Sequence, residues 1–84
     1  EKIIERSIRE SHLKLAEARG FDKTYCPSEV ARIIDPINWR EKMHIVREVA
    51  DELVLDNKLV TLQRGEVISE LPSGAKGPIR LRKK

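Results

Sequence analysis

The sequence is short of almost everything that marks a special architecture. One cysteine in 84 residues excludes a disulfide scaffold. No run of about 20 apolar residues is present, which excludes a transmembrane helix. Three aromatic residues, Phe21, Tyr25 and Trp39, argue against a stacking platform for single-stranded nucleic acid or RNA. There is no internal repeat, no low-complexity tract, no phosphate-cradling glycine loop, no dinucleotide fingerprint and no serine elbow. One cysteine and two distant histidines fall short of a zinc site, which needs about four ligands at short paired spacings. Cys26 sits at a predicted helix start, but no spacing brings His12 or His44 to it as a base. It reads as a small buried residue. The expectation is therefore a non-enzyme with no cofactor and no metal. The first residues, Glu1-Lys2-Ile3-Ile4-Glu5-Arg6, show no apolar block or cleavage site. With a single thiol, this gives the expectation of a reducing cytoplasm.

What is present is a chain 39% hydrophobic and 37% charged, the composition of one small, mostly helical domain with a thin core. The net charge of +3 is unevenly placed. Residues 39–57 are net −2, whereas residues 58–84 carry seven bases against Glu66 and Glu70. A basic last third, ending in Arg80, Arg82, Lys83 and Lys84, favours a polyanion partner.

Lys2 to Arg19 contains no Pro or Gly, and Gly20 follows as a C-terminal cap, so a helix is expected there. Ile4, Ile8, Leu15 and Ala18, with Ser11 among them, form its apolar stripe, and Leu13 falls outside it. Thr24-Tyr25 reads as a very short strand, with Tyr25 exposed. A second helix is expected over 27–34, with Cys26 as N-cap, Pro27 at the first helical position and Glu29 reaching back to free amides. Val30, Ile33 and Ile34 are its expected buried face, and Asp35-Pro36 ends it. The third helix is expected over 39–56, capped by Asn38 and closed by a left-handed Asn57. Trp39, Met43, Val46, Val49, Ala50 and Leu53 share its core face.

The period then changes. Strands are expected at 59–64 and 79–82, paired as an antiparallel hairpin around a long loop, 65–78, with Glu66 to Ser69 a possible continuation of the first strand. Helix, helix, helix, strand, loop, strand is a winged helix-turn-helix: mainly α, with a small hairpin, in one domain over residues 1–84. A three-helix bundle with a disordered tail would leave the apolar residues of both strands without a core.

In such a fold the third helix enters the DNA major groove. Arg40, His44 and Arg47 form a stripe opposite its core face, suited to guanine edges or phosphate. Glu41, Glu48 and Glu52 flank that stripe, and an Arg47–Asp51 pair on a solvated face is the structural alternative. Arg64, Lys76, Arg80 and Arg82 lie on the hairpin, whose small, flexible tip, Ser73 to Gly77, lets backbone approach phosphate.

Three blocks in order, Lys23-Thr24-Tyr25-Cys26-Pro27-Ser28-Glu29-Val30-Ala31-Arg32, then Asn38-Trp39-Arg40 with Met43 and Val46-Arg47-Glu48, then Ala75-Lys76-Gly77-Pro78-Ile79-Arg80-Leu81-Arg82, carry a resemblance. They resemble a small bacterial family of uncharacterised winged-helix proteins, described only as a domain of unknown function. The resemblance spans about Ile4 to Arg82 and implies fold and origin, but no functional residues. The leading expectation is a small module binding double-stranded DNA. The alternative is a protein-interaction or dimerisation module on the same scaffold, in which Leu13 and Leu55 seed an apolar contact. No membrane partner is expected.

Overall fold

In the computed structural model, which describes residues 2–84, three helices precede a three-stranded antiparallel sheet, giving a mixed α/β fold. Helix α1 spans Lys2–Arg19 and α2 spans Pro27–Ile34, as the sequence predicts. Gly20 follows α1 at φ 72°, its amide bonded to Ala16 O. Glu29 Oε2 accepts from the Cys26 amide, so the carboxylate satisfies a donor that the helix cannot.

The third helix starts later than expected. Trp39–Lys42 is a single 3-10 turn, and the α-helix proper, α3, spans Met43–Leu55. The Asn38 side chain does not cap it. The backbone amide of Asn38 instead donates to Asp35 Oδ1, while Asp35 Oδ2 accepts from Lys42 Nζ, both at 3.0 Å. These bonds hold the carboxyl of Asp35 below its ordinary range. Asp35, not Asn38, thus organises the connection. Asn57 follows α3 at φ 63°, as predicted.

Strand β1 is Leu59–Gln63, β2 is Glu66–Ile68 and β3 is Arg80–Lys83, in the order β2-β1-β3. The expected pairing of the first and last strands is present, with Leu62 opposite Arg80 and Leu59 opposite Lys83. The expected long loop, however, contains a strand. Arg64 and Gly65 lie at φ 54° and 83° between paired Gln63 and Glu66, a two-residue turn whose twist suits a hairpin. Gly65 thus reverses the chain, and the true connection to β3 is residues 69–79.

The core joins α1, α2, α3, β1 and β3 through Ile8, Val30, Val46, Leu53, Leu59 and Leu81. Several placements correct the sequence expectation. On α1 the sealed positions are Ile8, His12 and Ala16, at four-residue steps; Ala18 is exposed, and Leu13 packs partly against the core. On α2 Ala31 is buried and Ile33 is 58% exposed. Trp39 is only half-buried. Tyr25, expected to be exposed, is sealed and forms a β-bridge with Leu81, both backbone bonds made. Small Ala16 and Ala31 take inner positions, while the longer Ile33 is left largely exposed.

His12 explains much of this packing. Its Nε2 lies 3.0 Å from Val46 O and its Nδ1 2.8 Å from the Tyr25 hydroxyl. A carbonyl only accepts, so Nε2 carries the proton and Nδ1 accepts from the phenol. One neutral imidazole thus ties α1, α3 and the Tyr25 bridge together. Burial drives its pKa down to about 4, opposed by the bond to Val46. Burial pushes the Tyr25 phenol up, aided by Glu29. Arg19 Nη2 meets Glu29 Oε1 at 2.6 Å, closing α1 onto α2 and holding the Glu29 carboxyl below its ordinary range.

Candidate nucleic-acid interface

The seven basic residues singled out from the sequence fall into two groups. Arg40 and His44 are exposed around the start of α3. The 3-10 turn takes Arg40 out of the α-helical repeat, so the stripe on α3 itself is His44, Arg47 and Asp51, of which only His44 is fully exposed. Arg40 instead lies against Trp39: its guanidinium carbon is 4.4 Å from the indole centroid, and that of Arg32 is also 4.4 Å away. The indole serves as a platform for cations. His44 lines a surface cavity with Glu41, Lys42, Ile4 and Ile45.

Arg47 does something the sequence did not reveal. Its Nη1 donates to Pro72 O at 3.3 Å and to Ala75 O at 3.2 Å, and its Nη2 to Gly77 O at 3.2 Å. Asp51, one turn on, accepts from the Ser73 amide at 2.9 Å and from the Ser73 hydroxyl. The two side chains therefore hold the 69–79 loop rather than each other, and no Arg47–Asp51 pair forms. Gln63 Nε2 donates to Lys76 O at 2.6 Å and Pro78 O at 3.4 Å from the β1 side. The loop, expected to be flexible, is latched from both sides. Glycine at φ 84° on position 77 lets the chain turn between these bonds.

Arg64, Lys76 and Arg80 are brought together. With Gln63, Gly77 and Pro78 they line a cavity of about 310 Å³ beside the β1–β2 turn. No carboxylate is among the lining residues. Arg80 is fixed by Thr24, its Nε on Oγ1 at 2.9 Å and its Nη2 on the carbonyl at 3.1 Å. Glu70 lies in the neighbouring cavity, which shares Gln63 and Lys76. Arg82 stands apart, half-buried and donating to Lys83 O. Among the described residues no cluster of His, Cys, Asp and Glu is arranged to hold a metal ion, and no helix is long and apolar enough to cross a membrane.

The fold and surface define a small mixed α/β domain of three helices and a three-stranded sheet, with a cationic cavity at the sheet's turn. The chain belongs to the DUF3253 family of proteins of unknown function, whose family model matches residues 5–84. That description assigns neither a winged helix nor a bacterial origin, so the resemblance is supported only for a family of unknown function. A search of curated proteins finds no match.

Proposed function

We propose that this protein is a non-catalytic winged-helix module that binds duplex DNA. The exposed start of α3, at Arg40 and His44, addresses the major groove, and the latched 69–79 loop, as a wing, rests on phosphates. One observation carries the reading: the three bonds from Arg47 to the loop, which join the α3 face and the cationic wing into one surface. The order of elements supports it, with α2 and the 39–55 segment as a helix-turn-helix pair and the sheet following. Arg40 and His44 are exposed where recognition helices meet base edges. Arg64, Lys76, Arg80 and Arg82 supply charge for the backbone. Glu41, Glu48 and Glu52 are exposed beside the helix face, so the wing carries most of the attraction. The single thiol supports a cytoplasmic setting, and the matching sequence blocks support a bacterial one.

Fluorescence anisotropy of a labelled mixed-sequence duplex tests this. Neutralising about five phosphates gives log K against log salt a slope of about −4 to −5. Absence of binding at low salt removes the reading. A protein-interaction reading is favoured by Ile33 and Ile37, which are 58% and 88% exposed near the α2 end. Sedimentation of the protein would show a stable second copy on that surface.

A further inference from the structure

We infer that the cavity between the β1–β2 turn and the wing is a preformed site for one phosphate group, held by Arg64, Lys76 and Arg80. The inference rests on the reading of the wing as a phosphate-contacting element and narrows it to a single pocket. Three lines of geometry carry it.

The first is charge. Three of six lining residues are cationic and none is anionic, in a chain whose overall excess is only +3. Such local concentration is not the mixed surface that solubility alone requires. The second is order. Arg80 is fixed through Nε and Nη2 on Thr24, which leaves Nη1 without a hydrogen bond among the described residues and the guanidinium held in place. The Lys76 and Pro78 carbonyls are turned onto Gln63 Nε2, and the Gly77 carbonyl onto Arg47. Carbonyl oxygens would repel an anion, and here three of them are engaged by donors. The third is shape. The cavity, about 310 Å³, is at the small end of ligand pockets, and it is rimmed by exposed Arg64, Lys76 and Arg80. It has room for a phosphate together with part of the group that carries it, and Pro78 is the single wholly apolar side chain on its lining.

Two carboxylates temper the site. Glu70 shares the adjoining cavity with Lys76, and Glu29 lies in the field of Arg80. Glu29 is neutralised by Arg19 at 2.6 Å, so its effect on Arg80 is small. The phosphate can belong to a nucleic-acid backbone or to a small phosphorylated molecule; the chemistry of the pocket is the same for both.

The test is an amide NMR titration of the isotope-labelled protein with inorganic phosphate, against chloride at matched ionic strength, followed by the same titration with duplex DNA. Phosphate should move the amides of residues 63–66, 76, 77, 79 and 80 saturably, and chloride should not. Lys76→Ala should weaken phosphate about tenfold, as loss of one charge-assisted bond predicts, while Lys76→Arg largely retains it. Arg6→Ala, which removes the same charge from an exposed position on α1, should leave phosphate affinity unchanged. If phosphate and DNA move the same amides and compete, the ligand is a backbone phosphate. If phosphate binds and DNA does not, the pocket stands with a small phosphorylated ligand, and the DNA reading fails. If phosphate moves no lining amide, or Lys76→Ala and Arg6→Ala weaken it equally, the site is overturned even where DNA still binds through α3.

Discussion

His12 accepts a hydrogen bond from the Tyr25 hydroxyl at 2.8 Å, with both side chains sealed from solvent. Because the same imidazole donates to Val46 O, a second proton on the ring would face the phenol oxygen and force its hydroxyl to turn away. Burial also makes a charged ring costly, and it is this burial that lowers the His12 pKa to about 4 against an ordinary value near 6.5. Between those values the unfolded chain binds the proton and the folded chain does not. Stability is complete above pH 6.5 and falls as pH drops towards 4, by at most about 3 kcal/mol. Urea unfolding as a function of pH checks this. A flat profile between pH 7 and 5 would contradict it. Glu29 and Asp35, whose pKa values are lowered, lose their contributions only at lower pH, below the ordinary carboxylate range.

Arg47→Ala should free the wing. Removal of a guanidinium that serves three carbonyls should cost about 1–2 kcal/mol and accelerate amide exchange at Ser73 to Gly77, with little change on α1. If the protein binds DNA, the loss of affinity should be the same on every sequence, because the side chain is spent on the loop. A sequence-dependent loss would restore it to base reading.

Thr61→Val should stabilise the protein. Thr61 Oγ1 is buried on β1 and has no hydrogen-bond partner among the described residues. Valine has nearly the same shape and nothing to satisfy, so a gain of about 1 kcal/mol is expected. For a domain of this size that is a rise of roughly 4–8 °C in Tm by calorimetry. An unchanged or lowered Tm would mean that the hydroxyl is satisfied in solution.

Trp39 is the single tryptophan and has two guanidinium groups within 4.4 Å of its ring centroid, which makes its fluorescence a local reporter of Arg32 and Arg40. Arg40→Ala should expose the indole and shift its emission to the red, at a stability cost of about 0.5–1 kcal/mol. An unshifted spectrum would show that Arg40 does not cover the ring in solution.

The helices and the β1–β3 pairing were legible because local chemistry fixes them. Gly20, Pro27, Glu29 and Asn57 mark their ends, and Val46, Val49, Ala50 and Leu53 recur at helical spacing. The start of the third helix was not legible, since it depends on Asp35 taking both Asn38 and Lys42, a choice among polar partners that periodicity does not encode. Tyr25 was misplaced for a related reason. Its burial needs a histidine 13 residues earlier and a strand 56 residues later, and neither signal is local. At the candidate interface, the basic residue types could be read, but the grouping could not. Arg64, Lys76 and Arg80 meet because a left-handed turn at Arg64-Gly65 folds β2 back and lets the loop pass beside it. Arg47 looked like a surface base because nothing in its neighbourhood shows that three carbonyls from residues 72–77 would close on it.

Strand β1 is paired along both edges, which leaves β2 as an outer margin of the sheet. An open margin invites another chain to extend the ladder. Here the margin is three residues long, begins at charged Glu66 and is twisted by the turn before it, although Val67 is 57% exposed on it. Such a brief stretch gives an incoming strand very few amide and carbonyl pairs to grip. The brevity of β2 is thus a safeguard against self-association through the sheet. A variant with a longer, neutral strand in its place would be the one to watch for fibril formation.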